Sequence, residues 1–139
     1  MEEPARHLFF HGIIVLLTGL LIGIPYGKAI VRTANERLIE GWRVAHAALP
    51  MGAILMLVIS LSFSSLNVTI NLQWGIAILF ILSGYAFVWA LTLGPILGYR
   101  GLSSHGPLTA RIVHVGMLIG AMTSFLGTLV LLYAAWENL

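Results

Sequence analysis

Long apolar segments separated by short polar ones dominate the chain. They cover residues 8–25, 44–63, 72–97 and 108–136. Each meets the roughly 20 residues that a helix needs to cross the hydrocarbon core of a bilayer, and none shows the apolar–polar alternation of a half-buried strand. The pattern predicts an all-α protein, a bundle of four transmembrane helices. The last two spans are longer than a bilayer requires, so we expect them to tilt or protrude.

The polar connections carry their charges unevenly. Connection 27–43 is the most polar part of the chain, and we expect it to hold a short surface helix. Together with connection 98–111 it contains six of the seven Lys and Arg side chains: Lys28, Arg32, Arg37, Arg43, Arg100 and Arg111. Cytoplasmic loops of membrane proteins carry an excess of these residues. We therefore expect a protein of the bacterial inner membrane, with both connections on the cytoplasmic side and both termini on the opposite side.

Composition narrows the possible functions. The 139 residues suffice for a single domain, 1–139, and only 9% of them are charged, against roughly 25% in soluble domains. There is no cysteine, which excludes disulfides, thiolate catalysis and cysteine-ligated metals. The chain has no Gly-rich phosphate loop and no HExxH motif, so ATPase and metalloprotease functions have no support. We expect the lipid bilayer, and not nucleic acid, as its surroundings.

Two of the predicted spans carry small residues at four-residue spacing. The rows consist of Gly19, Gly23 and Gly27 in the first span, and of Gly116, Gly120, Ser124 and Thr128 in the last. Such rows let helix backbones approach closely. They predict tight helix contacts, either within one chain or between copies in a homo-oligomer.

His46 is the first candidate for chemistry, because ionisable residues at membrane depth are costly and often functional. It lies one turn into the predicted second span. Pro50, four residues later, has no N–H for the His46 carbonyl and should bend the helix. A histidine there can ligate a haem iron, with Arg43 paired to a haem propionate. It can equally be an interfacial histidine that is hydrogen-bonded to a neighbouring loop.

His114 is the second candidate, with Arg111 three residues before it on the same helix face. It can be a second haem ligand, an anchor for a polar cofactor group, or a buried hydrogen-bonding residue. His105 lies in a loop and is expected to be solvated. His7 and His11 have the spacing of two metal ligands on one helix face. Without a visible third ligand, we expect them instead to help start the first helix at the membrane interface.

A short motif connects the chain with a known family. The run EGWRVAH, residues 40–46, resembles the start of the second helix in styrene oxide isomerases. The pair His11 and Gly12, the chain length and the four-helix layout resemble the same family, so that the resemblance extends over most of the chain. Residues 84–90, GYAFVWA, resemble the third helix of the hydroxylaminobenzene mutases, small membrane proteins that look distantly related.

The resemblance implies a trimeric membrane enzyme that binds haem b between subunits. The family's axial histidine ends the motif and falls on His46. In the family the ferric iron acts as a Lewis acid on an epoxide oxygen, and an aldehyde forms without net redox change. We therefore expect a small apolar substrate, with His46 as the metal ligand. The other candidate haem-binding residues are Arg43, Arg111 and His114.

The chain departs from the family at three polar positions. The asparagine six residues after the axial histidine is Gly52 here. The aspartate and the tyrosine near the substrate fall, by ungapped counting, on Ser83 and Leu91. Tyr85 and Tyr99 are candidates to replace them. With these donors lost, we expect slower turnover or a substrate other than styrene oxide, since positioning groups lower reaction barriers by several kcal/mol.

Two alternatives to an isomerase follow from the same residues. The first is a non-catalytic haem carrier, sensor or electron-transfer subunit. The second is a membrane protein without a cofactor, in which His46 has only a structural role.

Overall fold

The computed structural model describes residues 1–101 and 104–139 of the chain, so residues 102 and 103 of connection 98–111 lie outside the described residues. The helices are α1 (Glu3–Leu21), α2 (Gly23–Val31), α3 (Glu36–Ser62), α4 (Ile70–Leu97) and α5 (Leu108–Trp136). α1 and α2 form one span with a break at Ile22, so four stretches are long and apolar enough to cross a membrane. No strand occurs in the described ranges. The predicted four-span, all-α fold is confirmed.

The first two spans begin earlier than the apolar pattern predicted. α1 begins at Glu3 with Pro4 in its first turn, where a missing N–H costs no hydrogen bond. α3 begins at Glu36 instead of residue 44, because the Asn35 side chain accepts a hydrogen bond from the Arg37 N–H at 2.9 Å and caps the helix. The polar connection 27–43 therefore consists mostly of the end of α2 and the first turns of α3. It holds no separate surface helix.

α1 and α2 pack closely against α3 through glycines of the predicted row. A Cβ added at Gly19 would lie 2.6 Å from the Cδ of Pro50, and one at Gly23 would lie 3.1 Å from the imidazole of His46. Around Gly27, by contrast, an added Cβ would meet nothing within 4 Å. The first two glycines therefore serve a contact within the chain, and the third does not.

α5 contacts only α4 among the described helices, whereas α1, α3 and α4 contact one another. Gly116 and Gly120 approach α4 as predicted, next to Ala90 and Phe87. Ser124 and Thr128 do not belong to this contact, because their hydroxyls bond to carbonyls of α5 itself. The third close approach of α5 occurs instead at Gly127, opposite Phe80. The outer face of α5 stays exposed and apolar.

Contacts between connections identify the two ends of the bundle. At one end the rings of His7 and Trp74 lie 5.3 Å apart, and the Asn67 N–H donates to the Asn138 side chain at 2.8 Å. At the other end Arg100 pairs with Glu40. Both chain termini therefore share one end of the bundle, and the two basic connections share the other.

Candidate functional site

His46 lies ten residues after the start of α3, about three turns into the helix. The prediction that His46 lies one turn into its helix was wrong, because α3 begins earlier, at Glu36. The imidazole Nδ1 lies 2.9 Å from the carbonyl oxygen of Gly19. A carbonyl oxygen only accepts hydrogen bonds, so Nδ1 carries the proton. The other nitrogen, Nε2, then keeps its lone pair, and that is the atom a metal ion would bind.

The break between α1 and α2 makes this contact possible. α1 ends at Leu21, and the last four carbonyls of a helix have no N–H partner within it. The Gly19 carbonyl is one of them. Because Gly19 has no side chain, Pro50 approaches α1 closely, and because Gly23 has none, the imidazole of His46 approaches the start of α2. The structure thus gives the second nitrogen of the imidazole a fixed partner 27 residues away in the sequence.

Tyr26 of α2 lies beside both Arg43 and His46, the two candidate residues on this face of α3. The Arg43 Nε donates to the Tyr26 hydroxyl at 3.2 Å, and the Tyr26 ring lies 6.0 Å from the His46 ring, tilted by 38°. Arg43 and His46 are three residues apart on a helix and therefore neighbours on one face. Sequence reasoning found these two residues and missed Tyr26. Its only signal was its place three residues after Gly23, in a segment that was predicted to leave the helix.

The structure places His114 and Arg111 elsewhere. The His114 Nδ1 lies 2.8 Å from the carbonyl oxygen of Gly101, which matches the interpretation as a hydrogen-bonding residue. The backbones of α3 and α5 do not approach within 8 Å, measured between Cα atoms, over their described lengths. Arg111 lines a shallow crevice between α4 and α5, next to Trp89. A single chain therefore does not bring either residue to His46.

The histidine pair of α1 lies towards the end that carries the termini. The His11 Nδ1 lies 2.8 Å from the Tyr85 hydroxyl, and the rings of His7 and His11 stack at 6.1 Å. Both lie inside α1 rather than at its start. No group of three or more potential metal ligands occurs in residues 1–101 and 104–139. His11 is eight residues before Gly19, about 12 Å along the helix, so Tyr85 cannot replace a polar group beside His46.

The three positions that depart from the resembled family do not converge in one chain. Gly52 lies on the exposed face of α3, where an added Cβ would meet nothing within 4 Å. Ser83 is buried, and its hydroxyl donates to the Gly120 carbonyl of α5 at 2.8 Å. Leu91 lines a cavity between α3 and α4. None of the three places a polar group near the imidazole of His46.

The cavity has a volume of about 790 Å³ and lies between the first half of α3 and the second half of α4. Its apolar part is lined by Val44, Ala90, Leu91, Gly94, Pro95 and Met117, and its polar part by Asn35, Arg37, Glu40, Tyr99 and Arg100. Val44 and His46 are two residues apart, which is about 200° around a helix. The cavity and the imidazole therefore lie on different sides of α3.

Comparison with known proteins agrees with the motif. A family model described as styrene oxide isomerase matches residues 4–136, nearly the whole chain. No protein of curated function matches the chain. The matched range contains the EGWRVAH run, all five helices and the cavity, so the resemblance found from the sequence is confirmed at the level of the family.

Proposed function

This chain belongs to the styrene oxide isomerase family, and we propose on that basis that it is a membrane isomerase that holds haem b at His46. Its substrate is a small apolar epoxide or a related N–O or C–O compound. The reaction is an isomerisation: one C–O bond opens, a hydride moves to the neighbouring carbon, and a carbonyl forms without gain or loss of atoms. The observation that carries the proposal is the hydrogen bond from the His46 Nδ1 to Gly19, which leaves Nε2 with its lone pair.

The residues around His46 are of the kinds that bind a haem. A haem needs a neutral imidazole nitrogen for its iron and a cation for a propionate. His46 offers the first, and the carbonyl bound to its other nitrogen fixes the tautomer and the orientation of the ring. The exposed Arg43 offers the second, and its bond to Tyr26 restrains it beside the imidazole. When bound, the ferric haem supplies a Lewis acid that polarises the substrate oxygen.

The task of the chain's own residues is to admit and orient the substrate. On the side of α3 that carries His46, Ile54 and Leu61 are exposed and apolar, so an apolar epoxide reaches this side directly from the lipid. No side chain at Gly52 or Leu91 donates a hydrogen bond there. Orientation then rests on shape alone, which favours slower turnover or a substrate other than styrene oxide.

We propose that the protein is a trimer that completes this site between copies. Among the described helices of its own chain, α5 contacts only α4, and its outer face exposes large apolar residues such as Phe125. The imidazole of His46 is half-buried against α1 and α2, and a neighbouring copy would cover the part that its own chain leaves exposed. Light scattering of the detergent-solubilised protein should give the mass of three chains of 15.1 kDa. A stable monomer would contradict this proposal.

Absorption spectroscopy of the purified protein tests the haem ligand. We expect one haem b per chain, a Soret band that His46→Ala abolishes, and an unchanged band in His114→Ala. The second variant is a matched control, since it also removes a half-buried histidine that bonds to a backbone carbonyl. A full Soret band in His46→Ala shows that another residue binds the iron.

Turnover tests the reaction itself. Ferric haem-loaded protein is incubated with styrene oxide, and phenylacetaldehyde is followed. We expect production that stops after reduction to ferrous iron and in His46→Ala. The absence of turnover with any aryl or alkyl epoxide, at full haem occupancy, would reject the isomerase.

The second candidate is a non-catalytic haem carrier, sensor or electron-transfer subunit. The loss of polar groups at Gly52, Ser83 and Leu91 favours it. An electron-transfer haem usually has two axial ligands, so this candidate predicts a six-coordinate, low-spin spectrum. If His114 of a neighbouring copy supplied the second ligand, His114→Ala would change that spectrum.

A further inference from the structure

We propose that the cavity between α3 and α4 binds an anionic phospholipid, with the headgroup phosphate at Arg37 and Arg100 and part of an acyl chain in the apolar interior. The cavity does not include His46 and lies on another side of α3. The inference therefore stands whether or not a haem binds at His46.

The interior of the cavity suits a hydrocarbon chain. Its volume of about 790 Å³ falls in the range of about 300–1,000 Å³ that is usual for small-molecule sites. Leu91, Met117 and Pro95 line it, and the half-exposed Val44 lies at its edge. No side-chain hydroxyl or amide of a residue that the structure describes lines this part. A polar group buried here would lose its hydrogen bonds to water without replacement. The buried part of the ligand must therefore be apolar.

The mouth of the cavity carries a net positive charge. Arg100 forms an ion pair with Glu40. The guanidinium of Arg37 has no hydrogen-bonding or ionic partner among the described residues. Two arginines against one glutamate leave one positive charge, and Tyr99 adds a neutral hydroxyl. This set complements an anionic head, because arginine binds phosphate through paired, charge-assisted hydrogen bonds.

The position of the cavity favours a membrane lipid as the ligand that supplies both the anionic headgroup and the apolar chain. The mouth lies at the end of α3 and α4 where the two basic connections meet, and the interior extends between these two membrane-spanning helices. Basic pockets between transmembrane helices at headgroup level bind anionic lipid headgroups. The surrounding bilayer supplies such lipids at high local concentration. A free fatty acid shares the chemistry but carries a carboxylate instead of a phosphate.

Thermal unfolding of the full chain in detergent measures this binding. Phosphatidylglycerol and phosphatidylcholine with identical acyl chains are titrated, and we expect only phosphatidylglycerol to raise the melting temperature at low concentration. Arg37→Gln should raise the half-saturating concentration of phosphatidylglycerol about fivefold, the effect of one arginine near an anionic headgroup. The Asn35 cap survives this substitution, because it uses the backbone N–H of residue 37.

Two further variants make the test specific. Arg32→Gln removes an exposed arginine of the same connection that does not line the cavity, and it should leave the titration unchanged. Leu91→Trp fills the interior and should weaken the effect of phosphatidylglycerol without removing a charge. Each variant is first compared with the wild type in detergent alone, so that a folding defect is recognised as a lower starting melting temperature.

Five outcomes would overturn the proposal. Equal stabilisation by the two phospholipids would show that the charge at the mouth is not used. If Arg32→Gln weakened the response to phosphatidylglycerol as much as Arg37→Gln does, the lipid would lie outside the cavity. An unchanged titration in Leu91→Trp would lead to the same conclusion. Stronger stabilisation by dodecanoate than by phosphatidylglycerol would identify a fatty acid. Stabilisation by styrene oxide alone would assign the cavity to an uncharged substrate.

Discussion

At the scale of single residues, Gly19 decides how closely α3 approaches α1 at Pro50. A methyl group at this position would lie 2.6 Å from a ring carbon of Pro50, much closer than carbon atoms pack. Gly19→Ala should therefore push α1 from α3 and lower the stability by about 1–3 kcal/mol, the usual cost of overpacking. It should also weaken haem binding, because the Gly19 carbonyl fixes the imidazole. Unfolding in mixed detergent micelles measures the first effect and the Soret band the second.

Gly27 provides the matched control for this prediction. It lies in the same span, but an alanine there would meet nothing within 4 Å. Since glycine inside a helix costs about 0.5–1 kcal/mol relative to alanine, Gly27→Ala should leave the stability unchanged or raise it slightly. Equal losses in both variants would show that the close approach at Gly19 is unimportant.

At the scale of helices, a buried hydrogen bond links α5 to α4. The Ser83 hydroxyl of α4 donates to the Gly120 carbonyl of α5 at 2.8 Å. Ser83→Ala should lower the stability by about 0.6–1.7 kcal/mol, as measured for hydrogen bonds between transmembrane helices. Ser124→Ala is the control, since its hydroxyl bonds to the Ala121 carbonyl within α5. The same loss in both variants would mean that the contact between helices contributes nothing.

The small-residue row of the last span shows what periodicity does and does not reveal about helix pairing. Gly116 and Gly120 lie in the predicted contact, but Ser124 and Thr128 bond within their own helix and Gly127 replaces them. A row at strict four-residue spacing drifts around a straight helix, which has 3.6 residues per turn. A shift from Gly120 to Gly127, seven residues later, returns nearly to the same face. The sequence pattern indicated that α5 makes a close helix contact, and the packing geometry determined which of its residues lie in that contact.

At the scale of the whole molecule, the bundle places its two basic connections at one end and its termini at the other. Because the chain has no cysteine, single cysteines report the two ends cleanly. We expect Ser104→Cys to be labelled by a membrane-impermeant maleimide from the cytoplasmic side and Ser64→Cys from the opposite side, as the positive-inside rule requires. Labelling of both from one side would contradict the topology.

A third position serves as the control for labelling. Met122 lies at the middle of α5 and is exposed towards lipid, so a cysteine there should react from neither side. Gly101 is a poor choice for such a probe. Its φ of +72° and the Met117 side chain, 2.8 Å from an added Cβ, make any substitution there strained.

The sequence by itself determined the properties that are local to a segment. Four apolar stretches predicted four spans, and the uneven charges predicted which connections share an end of the bundle. The EGWRVAH run identified the family, and with it His46 and Arg43 as neighbours on one helix face. These inferences succeed because hydropathy, charge and three-residue spacing need no knowledge of other helices.

Only the tertiary structure decided which surfaces meet. It gave the His46 Nδ1 a partner in Gly19 and brought Tyr26 to Arg43. It also left α5 in contact with α4 alone among the described helices, and it opened the cavity beside Leu91. Membrane-spanning helices are apolar on nearly every face, so their periodicity does not say which face packs inward. That choice depends on where backbones approach and where a buried polar group finds its partner, and both are properties of two segments together.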